Sequence, residues 1–178
     1  MKIWKKIALG MAALLVLLLL AGMALPSAAH VERTVVVNAK PAEVFALTAN
    51  LKRWPDWTAW TTNRFPDLTF RYSGPDTATG AVMIAAGKTS GDGTVTISAA
   101  DPANGLTYTL DFNHGSQIFL GAIRHANTPD GLRVTWTLDA QLGRSPLKRW
   151  AGLAMGTLMG GDMEQGLAQL KAQVEAKR

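Results

Sequence analysis

Between Leu68 and Leu142 apolar and polar side chains alternate in runs of six to eleven residues, the period of a strand with one buried face. Six strands are predicted, over Leu68–Ser73, Ala81–Ala86, Gly93–Ala100, Leu106–Asn113, Gln117–His125 and Leu132–Leu142. Turn formers separate them at Gly74-Pro75-Asp76, Gly91-Asp92-Gly93, Asp101 to Gly105 and Pro129-Asp130-Gly131. The alternation turns Leu68/Phe70/Tyr72, Val82/Ile84/Ala86, Val95/Ile97/Ala99, Leu106/Tyr108/Leu110/Phe112 and Val134/Trp136/Leu138/Ala140 inward. Thr107/Thr109/Asp111 and Arg133/Thr135/Thr137/Asp139 turn outward. The run around Phe119 is apolar on both sides, so the pattern gives it no facing.

Ahead of these runs, His30–Asn38 is rich in β-branched residues and reads as a first strand. Pro41–Leu51 follows as a helix with Pro41 at its first position and Val44, Leu47, Thr48 and Leu51 on one side. The segment Trp54-Pro-Asp-Trp-Thr-Ala-Trp60 forms an aromatic turn or second short helix, its three tryptophans at spacing three.

The period changes to helical at Ser145, an N-cap followed by Pro146, and holds to Arg178. At about 100° per residue, Gly152, Met155, Gly156, Met159, Gly160, Met163, Gly166, Leu167, Leu170 and Val174 lie within roughly 80° of Met163. A helix-interior glycine costs about 1 kcal/mol against alanine. Gly152, Gly156, Gly160, Gly161 and Gly166 therefore imply either close approach of another element or space left beneath the helix. From Trp150 to Gly161 the helix is uncharged on every side, a pattern of burial or membrane contact, and Lys148 and Arg149 flank it.

The amino terminus changes the setting. Met1–Lys6 holds three lysines and no acid, and Ile7–Leu25 is an uncharged apolar run of 19 residues followed by Pro26, Ser27, Ala28 and Ala29. Ser27 and Ala29 have the spacing of a cleavage site after Ala29, yet the run is also long enough to span a bilayer. Residues 1–29 are thus a signal peptide or a membrane anchor, and 30–178 the domain. The lysines stay inside, which places the domain on the outer side of the inner membrane, tethered there or free in the periplasm. Beyond Ala29 the chain carries 15 Lys/Arg against 13 Asp/Glu, about +2, so the basic balance belongs largely to the leader. No basic run is interleaved with aromatics, which argues against nucleic acid. The absence of cysteine removes disulfides, thiolate nucleophiles and thiolate metal ligands.

One apolar sheet face and one apolar helix stripe must bury each other. The expected fold is α+β: a bent antiparallel sheet of about seven strands, counting the first, closed on a long C-terminal helix. The motifs Ala39-Lys-Pro-Ala-Glu-Val-Phe45, Trp54 to Trp60, Ser73-Gly-Pro75 with Gly80-Ala81, Gly91-Asp-Gly93, Val134-Thr-Trp136 and Met159 to Lys171 (MGGDMEQGLAQLK) occur in that order. In this order they resemble the START-like helix-grip superfamily (SRPBCC), in its polyketide cyclase/dehydrase and lipid-transport branch, over His30–Lys177. The resemblance implies a hydrophobic ligand held between sheet and helix, with enzymes a minority of members. Ala85-Ala86-Gly87-Lys88 lacks an aromatic that the resemblance leads one to expect, implying a differently shaped wall there.

Candidate chemistry is sparse. The inward sets contain no acid, base or metal ligand, and Asp111, Asp139, Asp162 and Glu164 fall on polar flanks. His30, His114 and His125 are scattered and read as surface residues without metal-ligand spacing. Tyr72 and Tyr108 are the only inward proton donors. The expectation is accordingly binding without catalysis, cofactor or metal. Tyr72, Tyr108, Phe112 and Trp136 face Met155, Met159 and Met163 across a pocket, with Trp54, Trp57 and Trp60 at its mouth or lid. The bland alternatives are a tryptophan lid and a solid methionine core. A cyclase or hydratase using a pocket tyrosine, and a cell-envelope interaction module with a filled core, are the rival functions.

Overall fold

Seven strands form one antiparallel sheet in the order β1-β7-β6-β5-β4-β3-β2, so the first strand pairs with the last. The computed structural model describes residues 2–176. Its elements are helix α1 (Lys2–Ala24), β1 (Ala28–Val37), α2 (Pro41–Thr48), a 3-10 turn (Leu51–Arg53), α3 (Trp54–Trp57), β2 (Thr69–Ser73), β3 (Val82–Ala86), β4 (Gly93–Asp101), β5 (Gly105–Phe112), β6 (Gln117–Thr128), β7 (Gly131–Gln141) and α4 (Pro146–Glu175). This is the helix-grip arrangement expected from the sequence. The ends of two predicted segments, Met1 and Lys177–Arg178, lie outside the described residues.

Local chemistry starts each element where the sequence indicates. Pro41 occupies the first turn of α2, and Glu43 Oε2 accepts the Lys40 N–H at 2.7 Å. Ser145 caps α4 by accepting the Lys148 N–H at 3.4 Å, with Pro146 in the first turn. At 1.5 Å per residue α4 is about 45 Å long, enough to run the length of the sheet. Met155, Gly160, Met163, Gly166, Leu167, Leu170 and Val174 are its buried residues, and all belong to the predicted stripe.

The predicted facing fails at Ala99 of β4, which a register shift after Ile97 leaves exposed, and throughout β3. Ala81, Met83 and Ala85 are buried, whereas Ile84 is exposed, the reverse of the assignment to Val82, Ile84 and Ala86. Residues 81–86 are apolar throughout, so alternation carries no phase there. The register supplies it: Met83 pairs with Val95, and directly opposed residues share a face. In β6, which the pattern left undecided, Gly121, Ile123 and His125 point inward, while Ile118 and Leu120 are exposed. His125 is therefore buried rather than superficial, its Nε2 3.1 Å from the Pro102 carbonyl.

Candidate ligand-binding site

The centre of the molecule is an aromatic cluster held by three elements. The 3-10 turn delivers the chain into α3, and Trp54 is fixed there by donating its Nε1–H to the Thr48 carbonyl at 2.8 Å. Trp54 meets Tyr108 of β5 edge-to-face, centroids 5.1 Å apart, and Trp57 meets Trp136 of β7 at 5.2 Å. Tyr108 and Trp136 stand on strands separated by β6. The phenol ring bridges the gap by lying across Gly121, the residue opposite Tyr108 in the ladder. Trp136 Nε1 then donates to Tyr108 Oη at 2.7 Å.

A hollow of about 70 Å³ opens beside this cluster, beneath α4. Its sheet wall is Val95, Tyr108, Leu110, Trp136 and Leu138, its helix wall Met159, Asp162 and Met163, and its remaining side Trp54 with Thr58, Ala59 and Trp60. Burial holds the Tyr108 phenol well above its ordinary pKa, the Trp136 hydrogen bond opposing this in part. Tyr108 consequently stays protonated at any physiological pH. Its oxygen already accepts from Trp136, so its own hydrogen is the hydrogen-bonding capacity it has left to offer a ligand.

At the rim, Arg64 reaches from the loop after α3 to Asp162 on α4, its guanidinium 2.7 Å from the carboxylate. Both groups are partly exposed. The pair joins the two sides of the opening.

Of the residues singled out in the sequence, Tyr108, Trp136, Met159, Met163, Trp54 and Trp60 border the hollow. The others lie elsewhere. Tyr72 stands on the edge strand β2, stacked on Phe70 at 6.4 Å and 37% exposed; partial burial and the Asp56 charge raise its pKa. Phe112 is at the far end of β5 against Trp60, ring centroids 6.4 Å apart. Met155 is buried in the core near the start of α4, and Trp57 is fully buried, with an indole N–H that has no partner among the described residues. Trp54 and Trp57 are both buried, Trp54 at the side of the hollow and Trp57 against Trp136 and α4. Arg64 and Gly121 were not singled out in the sequence, where Asp162 reads only as a residue on a polar flank of α4. Its helical position beside Met163 is what sets it on the margin of the stripe and so at the edge of the hollow.

The glycines of α4 divide between close approach to a neighbour and open surroundings, but the open ones do not border the hollow. A Cβ at Gly166 would stand 2.9 Å from the Trp136 ring and 3.4 Å from the Trp57 carbonyl, and one at Gly160 would strike the Arg33 guanidinium. One at Gly152 would strike Leu142. A Cβ at Gly156 or Gly161 would meet nothing within 4 Å.

Among the described residues no group of three or more His, Cys, Asp or Glu is placed to hold a metal ion. His30 and His114 each meet an acid, Asp139 at 2.7 Å and Asp92 at 3.1 Å, in exposed pairs far from the hollow.

Comparison of the structure with solved ones shows the same fold at low identity. A protein from Chromobacterium violaceum superimposes with a TM-score of 0.54 and 16% identity, covering 83% of this chain and 98% of its own. One from Rhodobacter sphaeroides gives 0.58 and 17%, covering 83% and 93%. The di-domain ARO/CYC StfQ from the steffimycin biosynthetic pathway gives 0.58 and 12%, covering 84% of this chain and 51% of that one. A search of curated protein sequences gave no match. The sequence profile described as polyketide cyclase / dehydrase and lipid transport matches residues 28–175, which is nearly the whole chain outside α1. The chain therefore belongs to the polyketide cyclase/dehydrase and lipid-transport family.

Proposed function

We propose that this domain binds a hydrophobic small molecule or the apolar tail of a lipid in the hollow beneath α4, without covalent chemistry, on the outer side of the inner membrane. The observation that carries this reading is the composition of the hollow: tryptophan, methionine and aliphatic walls with two buried hydroxyls, Tyr108 and Thr58, and one acid at the rim, Asp162. Such a site takes an apolar body and fixes one polar end. Tyr108 can donate to a carbonyl or hydroxyl, but a phenol held above its usual pKa cannot collect a proton at neutral pH, which weighs against general base catalysis.

Pockets for drug-sized ligands are roughly 300–1,000 Å³, several times the present hollow. Occupancy therefore requires the helix wall to move. Met159 and Met163 suit that role because an unbranched thioether side chain repacks at little cost. Delipidated protein titrated with fatty acids, phospholipids and quinones should take up ligand saturably, with one bound molecule in native mass spectrometry. Tyr108→Phe should weaken ligands carrying a carbonyl and spare plain alkyl probes.

The small volume favours a second reading, an envelope interaction module with a filled core. Absence of saturable uptake by any of these probes would leave that one standing.

A further inference from the structure

The N-terminal half of α4, where α1 joins the domain, carries exposed apolar side chains. Leu147, Leu153 and Leu158 of α4 are each more than half exposed, and Trp150 is 40% exposed. Ile118 and Leu120, at the start of β6, are also more than half exposed, but on the sheet face turned away from the core, and Lys148 Nζ donates to the neighbouring Ser116 carbonyl at 2.8 Å. A folded domain leaves isolated leucines exposed, but several along the outward side of one helix point to a partner.

The same end is built onto α1. Trp150 Nε1 donates to the Leu18 carbonyl at 3.0 Å, and a Cβ at Gly22 would stand 2.7 Å from that indole and 2.8 Å from Pro146. Arg149 donates to the Met23 and Leu25 carbonyls at the end of α1 and to Gly143 O. Ser27 O accepts the Leu142 N–H at 2.8 Å, and β1 begins at Ala28, paired with Gln141. Cleavage after Ala29 would remove this whole seam. Residues Ile3–Ala24 form a helix long and apolar enough to cross a membrane, with almost none of it covered by the domain.

We infer that α1 is retained and that the outward face of α4 formed by Leu147, Trp150, Leu153 and Leu158 rests on the lipid bilayer that α1 spans. The occupant is lipid because the apolar face continues directly into a helix of bilayer-spanning length. The charges agree: Arg144 and Lys148 are exposed at this end, while the nearby acid Asp139 is engaged by His30. Leucine and tryptophan enter the acyl boundary while basic side chains meet anionic headgroups. The inference does not depend on what the hollow binds, although Leu158 immediately precedes Met159 and so brings the hollow within one helix width of the membrane.

The chain lacks cysteine, so single nitroxide labels can be attached to the full-length protein through Leu153→Cys, Leu158→Cys and, at the opposite end of the sheet, Ala103→Cys. In vesicles of phosphatidylethanolamine and phosphatidylglycerol, the labels at 153 and 158 should be relaxed by oxygen and shielded from a water-soluble nickel chelate. The label at 103 should show the reverse. Equal nickel access at all three positions overturns the inference. Short label-to-label distances at 153 or 158 overturn it too, by assigning the face to a second copy. Protein recovered from membranes should keep its full 19.0 kDa mass; loss of residues 1–29 removes α1 from the argument and contradicts the inference.

Discussion

The ring of Tyr108 lies directly over Gly121, its partner across the β5–β6 ladder, where even a methyl group would collide with the ring carbons. The glycine serves no turn and has no positive φ. Its role is to let a phenol cross β6 and reach Trp136. Gly121→Ala should displace the ring, break the Trp136–Tyr108 hydrogen bond and destabilise the fold by about 1–3 kcal/mol in urea unfolding. Adding Tyr108→Leu should recover part of that loss. Simple additivity in the double-mutant cycle would mean that the two residues do not share this space.

Tyr108 also predicts an alkaline limit. Its folded pKa is raised above the unfolded value near 10, so below pH 10 the phenol is neutral in both states and its full contribution is present. Above pH 10 the unfolded chain releases a proton that the folded chain retains, and stability falls as pH rises. Absorbance at 295 nm should show no Tyr108 ionisation until the protein unfolds. Tyr108→Phe should flatten the loss of stability above pH 10. It should also lower stability at neutral pH by about 1–3 kcal/mol, because the buried Trp136 N–H loses its acceptor.

Two glycines of one helix should respond oppositely to the same substitution. Nothing lies within 4 Å of a Cβ at Gly156, so Gly156→Ala should gain about 1 kcal/mol of helix propensity. At Gly166 the methyl group would press on the Trp136 ring and stand close to the Trp57 carbonyl. Overpacking there should outweigh the propensity gain and give net destabilisation. Thermal unfolding of the two variants separates the contributions.

These contrasts also show where the sequence was legible. Strand and helix positions, the antiparallel order and the buried stripe of α4 follow from periodicity, because burial on one face leaves its period in the chain. The facing of β3 did not, since Val82 to Ala86 is apolar on both sides and only its register with Val95 sets the phase. Tyr108 and Trp136 could be placed inward, but the bond between them depends on Gly121, which alternation marks only as another small inward residue. Tyr72 satisfies the same alternation as Tyr108 and still lies outside the hollow, because it stands on the edge strand. Asp162 was readable as a flank residue but its pairing was not: Arg64 is 98 residues away in a loop without periodic pattern.

The Arg64–Asp162 pair gives the last test. Exposed ion pairs contribute about 0.2–1 kcal/mol, so Arg64→Ala or Asp162→Asn should shift unfolding midpoints only slightly. The pair nevertheless joins the loop after α3 to α4 at the mouth of the hollow, and Asp162 is itself part of the lining. If ligand passes between these elements, the pair must open at each exchange, and its loss should speed both uptake and release while changing the equilibrium constant little. Stopped-flow measurements with a fluorescent fatty acid should therefore show faster association and dissociation in either variant, and the same acceleration in the unmodified protein as salt screens the pair. Unchanged rates alongside an intact fold would place ligand entry elsewhere on the rim.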